Sequence, residues 1–226
     1  MKRQLVVVTG AAGAAGRAIA NQLRDNGFYV VGVDTVGQPA EAGVLDDFVA
    51  AVDLTKLESA DKCYAEIAKK HGLIAGLVNV AGGFAWETVE EGSVETWETM
   101  WNVNLLTCLH SCRSALKHFS RNGGTITNVG AAGAQRADVG MAAYAASKYA
   151  VARLTEALAR ELRPRNIRVN AVLPTIIDTP SNRDSMPDGK PEDWVKPDEL
   201  AHIVSFLGSP KASAINGALL PVAGRL

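Results

Sequence analysis

Cysteines, an excess of basic charge and long apolar runs are all scarce in this chain, and each scarcity removes a class of function. Three cysteines among 226 residues, Cys63, Cys108 and Cys112, make no disulfide framework. Cys108 and Cys112 lie four apart in a helical segment and read as packing groups. The four histidines, His71, His110, His118 and His202, have no spacing suited to a metal site. With 23 basic against 24 acidic residues the formal net charge is −1, and no basic patch invites nucleic acid or an anionic membrane. No apolar run approaches membrane-spanning length, and the four apolar residues after Met1-Lys2-Arg3-Gln4 are too few for a signal peptide. A reducing cytoplasm is the expected location. No low-complexity tract interrupts the chain.

What is present is an end-to-end alternation of strand-like and helix-like segments. Leu5 to Val8 is a β-branched run fit for a strand buried on both faces. A Gly/Ala-rich turn and a helix over Ala14 to Asn26 follow, with Gly27 as the stop. Further strands are predicted at Tyr29–Val33, Phe48–Val52, Leu73–Val78, Thr125–Val129, Ile167–Leu173 and Ala218–Val222. Helices are predicted over Lys56–His71, Val94–Ser120, Ala142–Leu162 and Pro197–Leu207. Such repeated units need right-handed crossovers, so the fold class is α/β: one doubly wound parallel sheet of about seven strands, a Rossmann fold with helices on both faces, in a single domain over 1–226. Residues 179–196 lack periodicity and are rich in Pro, Asp, Asn and Ser. They read as a lid beyond the carboxyl ends of the strands.

The turn Thr9-Gly10-Ala11-Ala12-Gly13-Ala14-Ala15-Gly16 joins the first strand to the first helix, the context a dinucleotide fingerprint needs. Gly10 makes the tight turn, and the small side chains of Ala12, Ala14, Ala15 and Gly16 let backbone amides approach a pyrophosphate. Asp34, at the end of the second strand, offers a carboxylate to both hydroxyls of the adenosine ribose and repels a 2′-phosphate. No Arg or Lys stands in the glycine loop or just after Asp34 to hold one, so NAD(H) is favoured over NADP(H). A tight turn that merely favours glycine, and a solvated strand-end aspartate, are the plain alternatives.

Tyr144 and Lys148 share a helix face at a spacing of four. A phenol of ordinary pKa, about 10, needs a neighbouring cation before it works near neutral pH, and a lysine one turn on supplies it. On its own the pair is common on helix surfaces. It stands, however, in register with Asp53-Leu54, Asn79-Val80-Ala81-Gly82, Asn104, Ile167-Arg168-Val169-Asn170 and Pro174 to Thr179, and with these motifs the sequence resembles the short-chain dehydrogenases/reductases over essentially its whole length. The resemblance implies a catalytic set of Tyr144, Lys148 and Asn104. The tyrosine handles the proton, the lysine lowers its pKa and holds the nicotinamide ribose, and Asn104 helps order a water-linked proton route. It further implies that Asp53 and Leu54 frame the adenine, that Asn79, Ala81 and Gly82 line the cofactor and brace the central strand, and that Pro174, Ile177 and Thr179 flank the nicotinamide. Assembly through the two long helices, as a homodimer or homotetramer acting on a small-molecule substrate, belongs to the same expectation.

The sequence departs from that pattern where a catalytic serine is usual, thirteen residues before the tyrosine: Ala131 stands there. Losing such a hydrogen-bond donor typically costs on the order of 10²–10³ in rate. One branch shares the alanine, and Val80-Ala81-Gly82-Gly83-Phe84 together with the run Asp178-Thr179-Pro180 to Met186-Pro187 and Trp194 looks like the dihydropteridine reductases, which reduce a quinonoid pterin. The wider expectation is a reductase of a small carbonyl, imine or quinonoid compound. A weakly catalytic dinucleotide-binding sensor or scaffold is the alternative from another class. Phe84, Ala131, Arg136, Met141 and Trp194 are the substrate-pocket candidates, the aromatics being equally good packing material and Arg136, which could hold a carboxylate, reading more readily as a solvated loop residue; Arg183 in the lid carries the same two readings. Trp97 and Trp101, at i and i+4, are expected as a buried helix stripe.

Overall fold

The structure, a computed structural model, describes residues 3–37 and 45–225. Met1, Lys2, residues 38–44 and Leu226, which the single-domain reading includes, lie outside the described residues. The strands are β1 (Leu5–Thr9), β2 (Tyr29–Val33), β3 (Asp47–Val49), β4 (Ile74–Asn79), β5 (Gly124–Val129), β6 (Ile167–Pro174) and β7 (Leu219–Val222). All pair in parallel, in the order β3-β2-β1-β4-β5-β6-β7. The α/β expectation of about seven strands in a Rossmann-like sheet holds.

The helices are α1 (Ala14–Asp25), α2 (Leu57–His71), α3 (Val94–Met100), α4 (Thr107–Ala115), α5 (Ala142–Glu161), α6 (Pro180–Ser185) and α7 (Pro197–Gly208). Strand alternation divides the apolar side chains between two cores. Val7, Leu77, Ile126 and Val169 meet Ile67 of α2, Cys112 of α4 and Val151 of α5 on one face. Val6, Val8, Val78 and Val172 meet Ile19 and Leu23 of α1 and Leu200 and Val204 of α7 on the other. Burying a side chain of this size contributes about 1.5–3 kcal/mol each, so both layers hold the sheet firmly. The strand order reverses between β1 and β4, and a crevice between the loops that follow them is where such sheets take ligands. No helix among the described residues is long and apolar enough to cross a membrane.

Three expectations change. The third strand ends at Val49 rather than Val52, because Ala51 turns the chain at φ 57° and the Val52 amide leaves to donate to the Asp34 carbonyl. The predicted helix from Val94 to Ser120 is helical without interruption as far as His118 but is not α throughout: α3 widens into a π turn over Trp101–Leu106 before α4, and a 3₁₀ turn closes it at Leu116–His118. That turn holds Asn104, and such wide turns recur at functional sites. Trp97 and Trp101 are not a buried stripe; they are 42% and 45% exposed.

Candidate active site

The glycine loop after β1 is built by close approach. Gly10 has φ 64°, and a Cβ there would lie 2.8 Å from the Ala81 nitrogen; a Cβ on Gly16 would lie 2.1 Å from the Gly10 carbonyl oxygen. Both positions exclude a side chain, which keeps the loop flat against the first turn of α1. Gly13 precedes that helix and no side chain caps it, so the turn opening on Ala14, Ala15 and Gly16 presents unpaired amides to an anion. Asp34 is already locked to this loop: Oδ2 accepts the Ala12 amide at 2.9 Å and Oδ1 the Thr35 amide at 2.7 Å. The amides that open α1 and the Asp34 carboxylate therefore form one unit, and the residues fit a dinucleotide.

At the end of β4 the predicted residues divide. Thr9 Oγ1 accepts the Val80 and Ala81 amides, drawing Ala81 and Gly82 towards the loop after β1. Asn79 points the other way. Its amide donates to Asn128 Oδ1 at 2.9 Å and to Cys112 Sγ, and its oxygen accepts Ser111 Oγ at 2.6 Å. Asn128 in turn donates to Thr155, and Ser111 meets the Tyr64 hydroxyl. Asn79 thus braces β4 against β5 and the helices and lines no crevice, because every buried polar group beneath a sheet must find a partner inside. Leu54 is likewise packed in the core, whereas Asp53 beside it is exposed and accepts the Thr55 hydroxyl and amide, which hold its carboxyl below the usual range.

Tyr144 and Lys148 do share a face of α5, but the lysine does not lower the phenol here. Burial alone pushes Tyr144 up to about 12. Burial also brings Lys148 down to about 8, and its Nζ donates to the Val129 carbonyl at 2.9 Å. The phenol is therefore a protonated donor at neutral pH, with a cation stored one turn away. Asn104 sits in the wide turn with its side chain fully engaged: Oδ1 accepts the Gly83 amide at 3.0 Å, and Nδ2 donates to the Gly83 carbonyl at 3.1 Å and to Ser147 Oγ at 3.0 Å. These bonds make its side chain a clamp. Ser147 and the Val129 carbonyl carry no sequence motif of their own; the only signal for Ser147 is its place between Tyr144 and Lys148.

The pocket candidates also separate. The Phe84 ring meets Tyr144 edge-on, with centroids 4.9 Å apart, and remains 58% exposed. Trp86 donates its indole N–H to the Val139 carbonyl at 2.9 Å, and the Glu87 amide bonds the Gly140 carbonyl, so the loops before and beside Tyr144 are zipped together. A Cβ on Gly140, at φ 73°, would run into that indole. Ala131 is buried and its side chain brings no polar atom. Met141 stands next to the turn that follows it, since a Cβ on Gly133 would lie 3.0 Å from the Met141 methyl, and Arg136 lies exposed on the loop between. Trp194 is only 2% exposed and packs over Gly189, so it clasps the lid instead of walling a cleft. Pro174 ends β6, Ile177 bridges Val195, and the Thr179 hydroxyl caps α6 by accepting the Asn182 amide. Arg183 is held by both oxygens of Asp178, so the lid has order of its own that its lack of periodicity concealed.

The sequence profile described as short chain dehydrogenase matches residues 4–190. The chain belongs to the short-chain dehydrogenase family. It is accordingly an NAD(P)-dependent oxidoreductase of alcohol and carbonyl groups. This short-chain dehydrogenase is 33% identical to an NAD-dependent glycerol dehydrogenase of Listeria innocua, over 98% of this chain and 92% of the relative. The ligand-free aldohexose dehydrogenase of Thermoplasma acidophilum superimposes with a TM-score of 0.91 at 31% identity, covering 99% of this chain and 94% of that one. A 3-ketoacyl-(acyl-carrier-protein) reductase of Brucella melitensis, in complex with NADH, gives 0.85 at 32% identity and 98% of both chains.

Proposed function

We propose that this dehydrogenase uses NADH to reduce a small planar carbonyl, imine or quinonoid compound, with Tyr144 giving the proton. The observation that carries the reading is the pairing of a half-buried, protonated phenol with an exposed aromatic ring in edge contact. A nicotinamide dinucleotide supplies the hydride when bound. The chain contributes Asp34 and the amides of the glycine loop as the hold, Phe84 as a wall for a flat substrate, and Tyr144 as the donor to the oxygen or nitrogen that gains charge. Lys148 supplies the cation that favours the phenolate left behind, once it turns from Val129. With Ala131 in place of a donor, a delocalised acceptor that spreads its developing charge suits the site better than an isolated ketone.

The preference for NADH rests on Asp34 and agrees with the cofactor named for the Listeria and Brucella relatives. Tighter binding of NADPH than NADH in a fluorescence titration would overturn it. A panel of quinonoid dihydropterin, menadione, 1-phenylpropane-1,2-dione and butane-2,3-dione with NADH tests the substrate class. Turnover of the conjugated members over butane-2,3-dione is expected, and the reverse order refutes the aromatic wall. Buried Ala131 and the lid sequence favour the pterin among them, although none of the relatives above carries that name; turnover of the pterin alone would select it. Tyr144→Phe should abolish turnover while NADH still binds, and retained turnover sinks Tyr144 as donor. Assembly into a dimer or tetramer is supported by the exposed indoles of Trp97 and Trp101 on the α3 side, and sedimentation velocity checks it.

A further inference from the structure

We propose that Ser147 is a positioning residue that sets the phenol of Tyr144 against the aromatic wall by carrying the grip of Asn104 into the backbone of α5. The proposal rests on the reading of Tyr144 as the proton donor. The first turn of α5 needs an outside hold: Met141, which precedes it, gives no side-chain cap, and Gly140 before that sits at positive φ. Ser147 provides the hold. Its hydroxyl donates to the Tyr144 carbonyl at 2.7 Å and accepts Asn104 Nδ2 at 3.0 Å.

The direction of each bond is fixed. Asn104 accepts the Gly83 amide and donates to the Gly83 carbonyl, which determines which end of its amide is oxygen and leaves one N–H for Ser147. The serine must then spend its own proton on Tyr144. Both side chains are buried, Ser147 completely, so water does not readily replace either partner and the chain of bonds is all or nothing. The connection closes on itself: Gly83 precedes Phe84, and the Phe84 ring meets the Tyr144 ring. Backbone, clamp and ring contact thus form one circuit, in which the serine hydroxyl carries the hydrogen-bonded link between the packed wide turn and the catalytic helix. A Cβ on Gly82 would lie 2.6 Å from Asn104 Oδ1, so the clamp has little room to move elsewhere.

The test compares Ser147→Ala, Asn104→Ala and the double variant, using NADH-dependent reduction of 1-phenylpropane-1,2-dione and amide hydrogen exchange across α5. Ser147→Ala is expected to lower kcat by about tenfold, within what a displaced catalytic group costs, with KM and NADH affinity unchanged. Exchange should quicken at residues 142–146 and stay as in the parent over the rest of α5. Because the serine acts through the asparagine, the double variant should be no slower than Asn104→Ala. Ser147→Cys, which keeps a weak hydrogen-bonding group in nearly the same volume, should recover part of kcat, and it carries the test if the alanine variant does not fold. Unchanged kcat and exchange in Ser147→Ala, or a double variant slowed by the product of the single effects, overturns the proposal. The exchange readout does not depend on the phenol hydroxyl, so retained turnover in Tyr144→Phe would overturn the donor reading by itself.

Discussion

Replacing Lys148 with methionine removes a charge that the fold holds away from water, and the effect on stability should change sign with pH. Burial lowers the ammonium from 10.5 to about 8. At about 1.4 kcal/mol per pH unit of displacement, the charged form costs about 3 kcal/mol at neutral pH. Opposing this is the 2.9 Å bond to the Val129 carbonyl, whose loss costs about 1–2 kcal/mol. Methionine has similar length and no charge, so without cofactor Lys148→Met should be more stable than the parent by about 1–2 kcal/mol at pH 7. A lysine whose folded pKa is depressed makes the unfolded chain the stronger proton binder between about 8 and 10.5. The parent therefore gains stability as pH rises through that window, and the advantage of the variant closes. Above it both side chains are neutral, and the variant is the weaker by the lost bond alone. Urea unfolding of the two proteins at pH 7, 8.5 and 10.5, compared as differences so that shared titrations cancel, measures this. A variant less stable at pH 7, or a difference flat with pH, refutes the buried-charge argument.

The same lysine shapes the pH profile: kcat/KM for reduction should fall as pH rises through about 8, where the free enzyme loses the ammonium, and a profile level to pH 9.5 would contradict this. Gly16→Ala places a methyl 2.1 Å from the Gly10 carbonyl oxygen, so the loop must open; NADH affinity should drop by about 1–3 kcal/mol, read by fluorescence titration. Trp86→Phe removes the bond to the Val139 carbonyl while keeping a ring, and should raise KM for conjugated substrates with little change in NADH binding. Ala131→Ser supplies the missing donor and is expected to speed butane-2,3-dione more than menadione, measured as the ratio of their kcat/KM values.

The glycine loop, Asp34 and the Tyr144/Lys148 pair are legible in the sequence because each depends on local features: a strand, a turn and a fixed helical spacing. The local widening of the long helix is not. Its residues from Val94 to Ser120 keep an amphipathic pattern, and the wide turn at Trp101–Leu106 leaves the composition unchanged. With the helix drawn straight, Trp97 and Trp101 read as a core stripe, and nothing shows that the Asn104 side chain is taken up by Gly83 and Ser147. Asn79 reads as both a cofactor-lining residue and a brace for the central strand because a strand end adjoins two environments, and only the partners Ser111 and Asn128 show that its side chain faces the brace. Trp194 misleads for a similar reason: an aromatic in a lid suits a wall or a clasp equally until Gly189 is seen beneath it. The rise in the phenol pKa is invisible from spacing, because it comes from burial, and the Lys148 ammonium that the spacing sets beside the phenol is turned to a backbone carbonyl that no sequence motif marks.

Asp34 reaches back to the Ala12 amide with one carboxylate oxygen while holding the following turn with the other, and this makes cofactor choice a property of the loop as well as of charge. Exchanging the aspartate for a residue that welcomes a phosphate also unfastens the glycine turn from β2. Under the NADH preference proposed above, engineering this chain to accept NADPH needs two changes together, a new cation for the phosphate and a neutral acceptor such as serine or asparagine to re-tie Ala12. A single charge swap should yield a protein indifferent to both cofactors before it yields one that prefers the other.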